Sequence, residues 1–185
     1  MMASSEISPF PELLTDRLIL RRLVNEDLPG IFTLRSDESV NRYLDRDKAK
    51  NSDDARNFID TINKNIDLSK CYYWAICFKD DPLLLGTICL FSFSDENREA
   101  EIGFELLPAF GGKGIMHEAI GEIIRFSFEE LRLARILAFV HPENLRSIRL
   151  LLKKQFTPQL NFSGQNDSLV RQYSLSSHSA VANKG

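Results

Sequence analysis

Apolar residues recur along the chain with two different periods. Five short segments are rich in β-branched and aromatic residues or alternate apolar with polar positions, which predicts strands. They are Arg17–Leu23, Cys71–Phe78, Leu84–Phe93, Ala100–Leu107 and Ala134–Val140. Five others repeat apolar residues every three or four positions or follow capping residues such as Asn25, Ser52 and Asn144, which predicts helices. They run from near Glu26 to Ser36 and over Glu38–Leu44, Ser52–Ile66, Gly114–Leu131 and Leu145–Lys154.

The order of these elements predicts the fold. Turn-forming residues at Lys79–Pro82 and Asp95–Arg98 join the three middle strands into an antiparallel meander. A strand, a long helix and another strand follow, which is the order of a right-handed parallel pair. Phe156–Phe162 and Ser168–Ser176 are expected to form a last hairpin. The expected fold class is α+β, with a mostly antiparallel sheet of six to seven strands, one parallel pair, and helices on both faces.

Length and charge narrow the class of protein. With 185 residues the chain has room for one domain with a real core. We expect residues 1–14 to be a polar lead-in, residues 15–176 a single domain, and residues 177–185 a disordered tail. The net charge is −3 and the pI about 5.7, which argues against nucleic acid as a partner, since phosphate binding concentrates Lys and Arg.

The sequence shows no secretion, membrane or metal signal. The first residues lack the basic and apolar regions of a signal peptide, and the longest apolar-rich run, Leu83–Phe93, is too short to span a bilayer. We therefore expect a cytoplasmic protein without a membrane partner. The cysteines and histidines have no ligand spacing, so we expect reduced thiols and no metal. They are Cys71, Cys77, Cys89, His117, His141 and His178.

The stretch ELLPAFGGKGIMHEAI carries the clearest functional signal. Gly111, Gly112 and Gly114 fall between a predicted strand and a predicted amphipathic helix. Glycines at a helix start allow unusual backbone angles and close approach, and the free first-turn N–H groups attract an anion such as a pyrophosphate. Two nucleotide motifs are excluded, because no Ser or Thr follows a Gly-Lys pair and no G-x-G-x-x-G occurs.

With this loop in view, the sequence resembles the GNAT superfamily of acyl-CoA-dependent N-acetyltransferases. It is most similar to the Rim-type branch, the ribosomal-protein N-terminal acetyltransferases. The resemblance runs from Thr15 to about Leu175 and rests on four segments. They are TDRLILRRLVNEDLPGIF, WAICFKDDPLLLGTICL, AEIGFELLPAFGGKGIMHEA and VHPENLRSIRLLLKKQF.

The family's loop pattern, Q/R-x-x-G-x-G/A, is only partly kept. Gly111 stands at the Gln or Arg position, Gly114 keeps the central glycine, and Met116 stands at the last small position. The resemblance implies that acetyl-CoA is a co-substrate, held by loop amides through its pyrophosphate and by strand backbone along its pantetheine arm. The implied binding residues are Leu106, Leu107, Gly111, Gly112, Lys113, Gly114, Ile115, Met116 and Asn144.

Two interpretations of Asn144 stay open. Asn144 is a good helix N-cap, with Ser147 at the N3 position, and capping alone would explain it. The resemblance adds that the family's Asn faces the CoA arm and that Ser147 lies near the thiol. Many relatives carry a tyrosine seven residues after this Asn as general acid, but here that position is Leu151. Ser147 or water would then have to act as the acid.

The reaction requires a neutral amine that attacks a thioester. An α-amino group has a pKa of about 7.7–8.0, so a modest base suffices, whereas a lysine at about 10.4 needs more help. The candidate bases are Glu101 and Glu105, which point to one face of the predicted strand, with Gly103 between them. We favour Glu101 from the sequence. The alternative is that both are solvated or paired with Arg98 or Arg22.

The predicted function is transfer of acetyl from acetyl-CoA to a primary amine, with a protein N-terminal α-amino group as the favoured acceptor. A small-molecule amine (a polyamine, aminoglycoside or amino acid) stays open, as does a CoA-binding sensor without catalysis. An acidic rim would favour a cationic small acceptor, and a long groove would favour a peptide end. The edge hairpin also leaves a homodimer open.

Overall fold

The computed structural model describes residues 10–159 and 170–177. Its strands are β1 (Leu13–Leu14), β2 (Leu18–Arg21), β3 (Tyr72–Phe78), β4 (Asp81–Ser94), β5 (Glu99–Leu106), β6 (Arg135–Val140), β7 (Thr157–Pro158) and β8 (Arg171–Ser176). Its α-helices are α1 (Leu28–Ser36), α2 (Glu38–Asn41), α3 (Ser52–Asp67), α4 (Ile115–Arg125) and α5 (Leu145–Lys153). Short 3-10 turns cover Asn25–Asp27 and Pro108–Phe110.

The strands form one sheet in the order β1-β2-β3-β4-β5-β6-β8-β7. Only β5 and β6 pair in parallel, and the other described pairs are antiparallel. The α+β class and the parallel pair are thus confirmed. The described sheet has eight strands rather than six to seven, because a two-residue strand, β1, is added at the edge beside β2.

Helices cover both faces of the sheet, as predicted. Alternation along β5 shows the division, since Ala100 and Ile102 are buried on one side while Glu101 and Gly103 point to the other. The first face packs against the apolar stripes of α4 and α5, and the second face packs against α1 and α3. The first face therefore forms the larger of two apolar cores.

Helix boundaries differ from the predictions around α1 and α4, and α2 ends at Asn41 rather than at Leu44. Asn25 was expected to cap the first helix, but Asn25–Asp27 form a 3-10 turn and α1 begins at Leu28. The cause is Asp27, whose carboxylate accepts from the amide of Val24 and from both Nη atoms of Arg21 (2.8 Å each). The long helix predicted to reach Leu131 is α-helical only to Arg125 and continues as a π-helical turn, Phe126–Glu130.

Part of the predicted last hairpin lies outside the described residues. Its turn, Ser163–Asp167, and the tail from residue 178 onward are not described. Within the described part, β7 and β8 pair in antiparallel fashion through Thr157 with Ser174 and Pro158 with Tyr173. No helix in residues 10–159 or 170–177 combines the length and the apolar character needed to cross a bilayer.

Candidate active site

The sheet opens between β5 and β6. The two strands pair only from Glu99 with Arg135 to Glu101 with Leu137. Beyond that point β5 continues to Leu106, still paired with β4, while β6 continues to Val140, paired with β8. Among the described residues, the β6-facing edge of β5 after Glu101 therefore has no strand partner. Unpaired backbone groups on such an edge can bind an extended chain as an added strand.

A cavity of about 800 Å³ lies at this opening. Phe104 and Leu106 belong to the first face and Glu105 to the second, yet all three line the cavity, so it passes the edge of β5 and reaches both faces. We call its two walls the glycine-loop side and the α2 side. The glycine-loop side comprises Pro108, Gly112, Gly114, Ile115, Met116, His117, Asn144, Arg146, Ser147, Arg149, Leu150 and Lys153. The α2 side comprises Ser39, Val40, Tyr43, Leu44 and Glu105.

Two of the three glycines have the conformation that favours glycine. Gly112 has φ +77° and Gly114 has φ +75°, both left-handed, and Gly114 is the N-cap of α4. A Cβ on Gly112 would meet no atom within 4 Å, so the backbone here is open to a ligand. No side chain caps α4, so its first-turn N–H groups are free of a capping acceptor.

The loop is held from behind by the start of the sheet. The Nη1 of Arg17 donates to the carbonyl of Lys113 (3.2 Å), and its Nε donates to Glu118 (2.7 Å). The hydroxyl of Thr15 donates to the same carboxylate (2.6 Å). Burial alone would raise the pKa of Glu118, but these hydrogen bonds and one from the amide of Arg17 lower it overall. The same bonds hold the first turn of α4 against β2. The loop is thereby preformed.

The glycine-loop side carries positive charge without internal partners. Arg146, Arg149 and Lys153 line the cavity, and none of them forms an ion pair with another described residue. Unpaired cations beside free helix-terminal amides are a site for an anion. Burial lowers the pKa of His117, and the nearby Lys154 and Lys153 lower it further.

Charge on the α2 side is paired within the protein. Arg46 binds Glu105 through two hydrogen bonds (2.6 and 2.8 Å), and its Nε donates to Asn41 (2.7 Å). Asn41 is buried and donates in turn to the carbonyls of Leu34 and Asp37. This network fixes the carboxylate of Glu105 at the cavity wall. The partner of Glu105 is thus Arg46, and not Arg98 or Arg22.

The same side is joined to the loop after β6. The ring of Tyr43 stacks on His141, with centroids 5.1 Å apart and an interplanar angle of 24°. The Nδ1 of His141 accepts from the amide of Glu143 (3.2 Å), which leaves the proton of a neutral ring on Nε2. Segments that precede and follow the central strands therefore meet beside the cavity.

The structure brings most of the predicted site residues together. Eight of them line the cavity: Glu105, Leu106, Gly112, Gly114, Ile115, Met116, Asn144 and Ser147. The predicted residues Gly111 and Lys113 belong to the same loop but are not lining residues. The backbone of Leu107 already has partners, since its amide donates to Leu85 (2.9 Å) and its carbonyl accepts from Phe110 (3.0 Å). Leu106 is therefore better placed than Leu107 to bind an extended arm.

Glu101, the base favoured from the sequence, does not line the cavity. It stands at the last parallel pair, and burial raises the pKa of its carboxyl, with a hydrogen bond to Ser92 acting in the opposite direction. Leu151 is fully buried in the first core, so the position of the family's tyrosine makes no contact with solvent here. Asn144 caps α5 by accepting from the amide of Ser147 (3.1 Å), as the capping interpretation requires.

Sequence reasoning missed Arg46, Tyr43 and Arg146. Arg46 and Tyr43 lie in a polar segment without a periodic pattern, and nothing local connects them to Glu105. The only signal for Arg146 was its position in the first turn of a helix that has no acidic residue there. In the described parts of the chain, no group of three or more His, Cys, Asp or Glu side chains could hold a metal ion.

Comparison with known proteins identifies the family. The family described as acetyltransferase (GNAT) domain matches residues 17–157. The N-acetyltransferase YoaA of Bacillus subtilis, itself uncharacterized, is 34% identical over 164 residues, which cover 89% of this chain and 88% of YoaA. The chain therefore belongs to the GNAT acetyltransferase family, and it is an acyltransferase that uses acetyl-CoA.

Solved structures share the fold at low identity. RimL, a ribosomal alpha-N-protein acetyltransferase in complex with coenzyme A, has a TM-score of 0.76 at 16% identity, covering 92% of this chain and 98% of RimL. The spermidine N-acetyltransferase of Vibrio cholerae, in complex with CoA and spermine, has a TM-score of 0.74 at 21% identity, covering 89% of this chain and 98% of that protein. These likenesses show the fold and leave the acceptor open.

Proposed function

We propose that this enzyme acetylates the α-amino group at the N-terminus of a protein, as a Rim-type acetyltransferase. The acetyl donor, acetyl-CoA, supplies an activated acetyl thioester. The amides of Gly112 to Met116 and the cations of the glycine-loop side fit its phosphates, and the free edge of β5 at Leu106 fits its extended arm. The acceptor then enters from the α2 side.

The main support for this acceptor is the lack of uncompensated negative charge among the described residues that line the cavity. Glu105 is the one carboxylate among the described lining residues, and Arg46 neutralises it with a bidentate pair. A polyamine or an aminoglycoside carries several positive charges and needs uncompensated carboxylates to bind. A peptide presents a single amine at its end, and the apolar and hydroxyl groups of Val40, Leu44 and Tyr43 suit a peptide better than a polycation.

Glu105 is the proposed base. It lines the cavity on the α2 side, next in the strand to Phe104 and Leu106, and Arg46 holds its carboxylate in one position. An α-amino group is partly neutral at pH 7, so Glu105 needs only to receive a proton from the ammonium form, directly or through one water. Ser147, which lines the opposite side, is the proposed hydroxyl beside the thiol.

The test is a comparison of acceptors at fixed acetyl-CoA, with release of free thiol as the readout. Each peptide would contain one lysine and be used twice, once with a free N-terminus and once Nα-acetylated. Spermidine and an aminoglycoside would complete the set. We expect turnover with free N-termini and none with the blocked peptides. A higher kcat/KM for spermidine than for every peptide would refute the proposed acceptor.

A variant tests the charge argument itself. Arg46→Met removes the partner of Glu105 and exposes its negative charge to the acceptor. We expect the ratio of kcat/KM for spermidine to that for the best peptide to rise several-fold. Arg42→Met is the matched control, since Arg42 lies over the ring of Tyr43 and has no ion pair with Glu105. An unchanged ratio in Arg46→Met would mean that charge pairing does not select the acceptor.

A further inference from the structure

Gly111 differs from the two glycines that follow it. Its backbone angles are φ −60° and ψ 146°, an ordinary extended conformation that any residue adopts. Conformation therefore does not require glycine here, and the space beside Gly111 is taken by the end of the Arg146 side chain. A Cβ on Gly111 would overlap the Nη2 of Arg146 and lie only 3.0 Å from Cζ and 3.1 Å from Nη1. The missing side chain leaves room for the guanidinium of Arg146.

The guanidinium of Arg146 has no partner in the described protein. It forms no ion pair and donates no hydrogen bond to any residue in the ranges 10–159 and 170–177. Arg146 is also the second residue of α5, whose first turn contains no acidic residue. A cation at the positive end of a helix dipole is slightly unfavourable at an exposed position such as that of Arg146, and a bound anion would offset this effect. Arg146 lines the cavity, where such an anion would bind.

We propose that Arg146 binds the diphosphate of acetyl-CoA, and that α5 thereby supplies the side chain that the loop lacks at Gly111. The family pattern places Gln or Arg at position 111, and here a guanidinium from another element fills that space. A planar guanidinium suits paired phosphate oxygens, because it donates two parallel hydrogen bonds. The inference depends on acetyl-CoA as donor and is independent of the acceptor, so its test omits the acceptor altogether.

The first experiment is calorimetric titration without acceptor. Arg146→Ala should weaken acetyl-CoA binding by roughly 10- to 100-fold, the range of a lost hydrogen bond to a charged group. The same loss is expected with 3′-dephospho-acetyl-CoA, and no loss with acetyl-pantetheine, which lacks the diphosphate. If the loss disappears with the 3′-dephospho compound, Arg146 serves the 3′-phosphate and the assignment is wrong. Arg56→Ala is the matched control, because Arg56 is exposed on α3 and does not line the cavity. An equal loss with both CoA compounds in Arg56→Ala would overturn the assignment.

The second experiment exchanges the two positions. In the wild-type background, Gly111→Gln should weaken binding, because the new side chain displaces the guanidinium. In the Arg146→Ala background, the same substitution should strengthen binding, because the space is free and Gln donates to phosphate from the family's position. A change of the same sign in both backgrounds would contradict a shared space. Circular dichroism and melting temperature check that each variant is folded. If Gly111→Gln does not fold, Gly111→Ala replaces it, with weaker binding expected in the wild-type background and unchanged binding in the Arg146→Ala background.

Discussion

The two sides of the cavity differ in whether their charged side chains are paired. On the glycine-loop side, Arg146, Arg149 and Lys153 have no ion-pair partner among the described residues. On the α2 side, Arg46 and Glu105 pair with each other, and Asn41 holds the arginine in place. Unpaired charge on a preformed surface attracts a charged ligand, whereas a satisfied pair selects by shape and hydrogen bonding. One cavity can therefore hold a polyanionic donor firmly and still admit an acceptor that carries little charge.

The largest effect is expected from Glu105→Gln, which removes the proposed base and keeps its size. Loss of a general base typically lowers kcat by roughly 100-fold or more, and acetyl-CoA affinity should stay unchanged. Glu101→Gln is the matched control on the same strand face, and its kcat should stay within a few-fold of wild type. Steady-state kinetics with the best peptide measure both variants.

The opposite outcome would reverse these roles. If Glu101→Gln loses activity and Glu105→Gln does not, the sequence-based preference for Glu101 is correct and the cavity misidentifies the base. Melting curves are needed for both variants, because Glu105→Gln leaves Arg46 with a weaker partner inside the protein.

The features that could be predicted from the sequence are those formed by residues close together in the chain. The glycine loop was readable because strand, glycines and helix follow one another, and Asn144 was readable as a cap because its acceptor bond reaches only to Ser147. The role of Arg46 could not be predicted, because its partner Glu105 lies 59 positions away in the sequence. Gly111 appeared only as a departure from a pattern, and its reason lies on another helix, at Arg146. Contacts made by tertiary folding between polar residues leave no periodic trace in a sequence.

The KM values for acetyl-CoA and for the peptide should respond differently to salt, because the two sides of the cavity differ in unpaired charge. Raising ionic strength from about 0.05 to 0.5 M shortens the Debye length and should raise the KM for acetyl-CoA roughly five- to tenfold, because unpaired cations attract its phosphates. The KM for a peptide without charged side chains should change less than about twofold, since the Arg46–Glu105 pair leaves little net charge on the α2 side. Initial rates with one substrate saturating measure each KM. An equal response of both constants would remove the distinction between the sides.

Asn144→Ala tests whether the residue that caps α5 also binds acetyl-CoA. Asn144 and Asn51 each cap a helix by accepting from an amide three residues on, but only Asn144 lines the cavity. Both variants should lose about 1 kcal/mol of unfolding free energy, the usual cost of a lost cap. Acetyl-CoA affinity should fall several-fold only in Asn144→Ala, because Asn144 lines the cavity and Asn51 does not. Denaturant unfolding and calorimetry give the two readouts, and unchanged affinity in both variants would leave Asn144 as a cap alone.

The smallest effect concerns the stability of Glu101→Gln. Burial raises the pKa of the Glu101 carboxyl above its unfolded value, so stability falls as the pH rises from the unfolded to the folded pKa and the loss is complete above the folded pKa. Gln carries no charge, so this variant should melt slightly above wild type at pH 7. The difference should vanish as the pH falls below the unfolded pKa of Glu, where the wild-type carboxyl is protonated in both states. A lower melting temperature at pH 7 would mean that the bond to Ser92 outweighs burial and that the ionised carboxylate stabilises the base of the opening between β5 and β6.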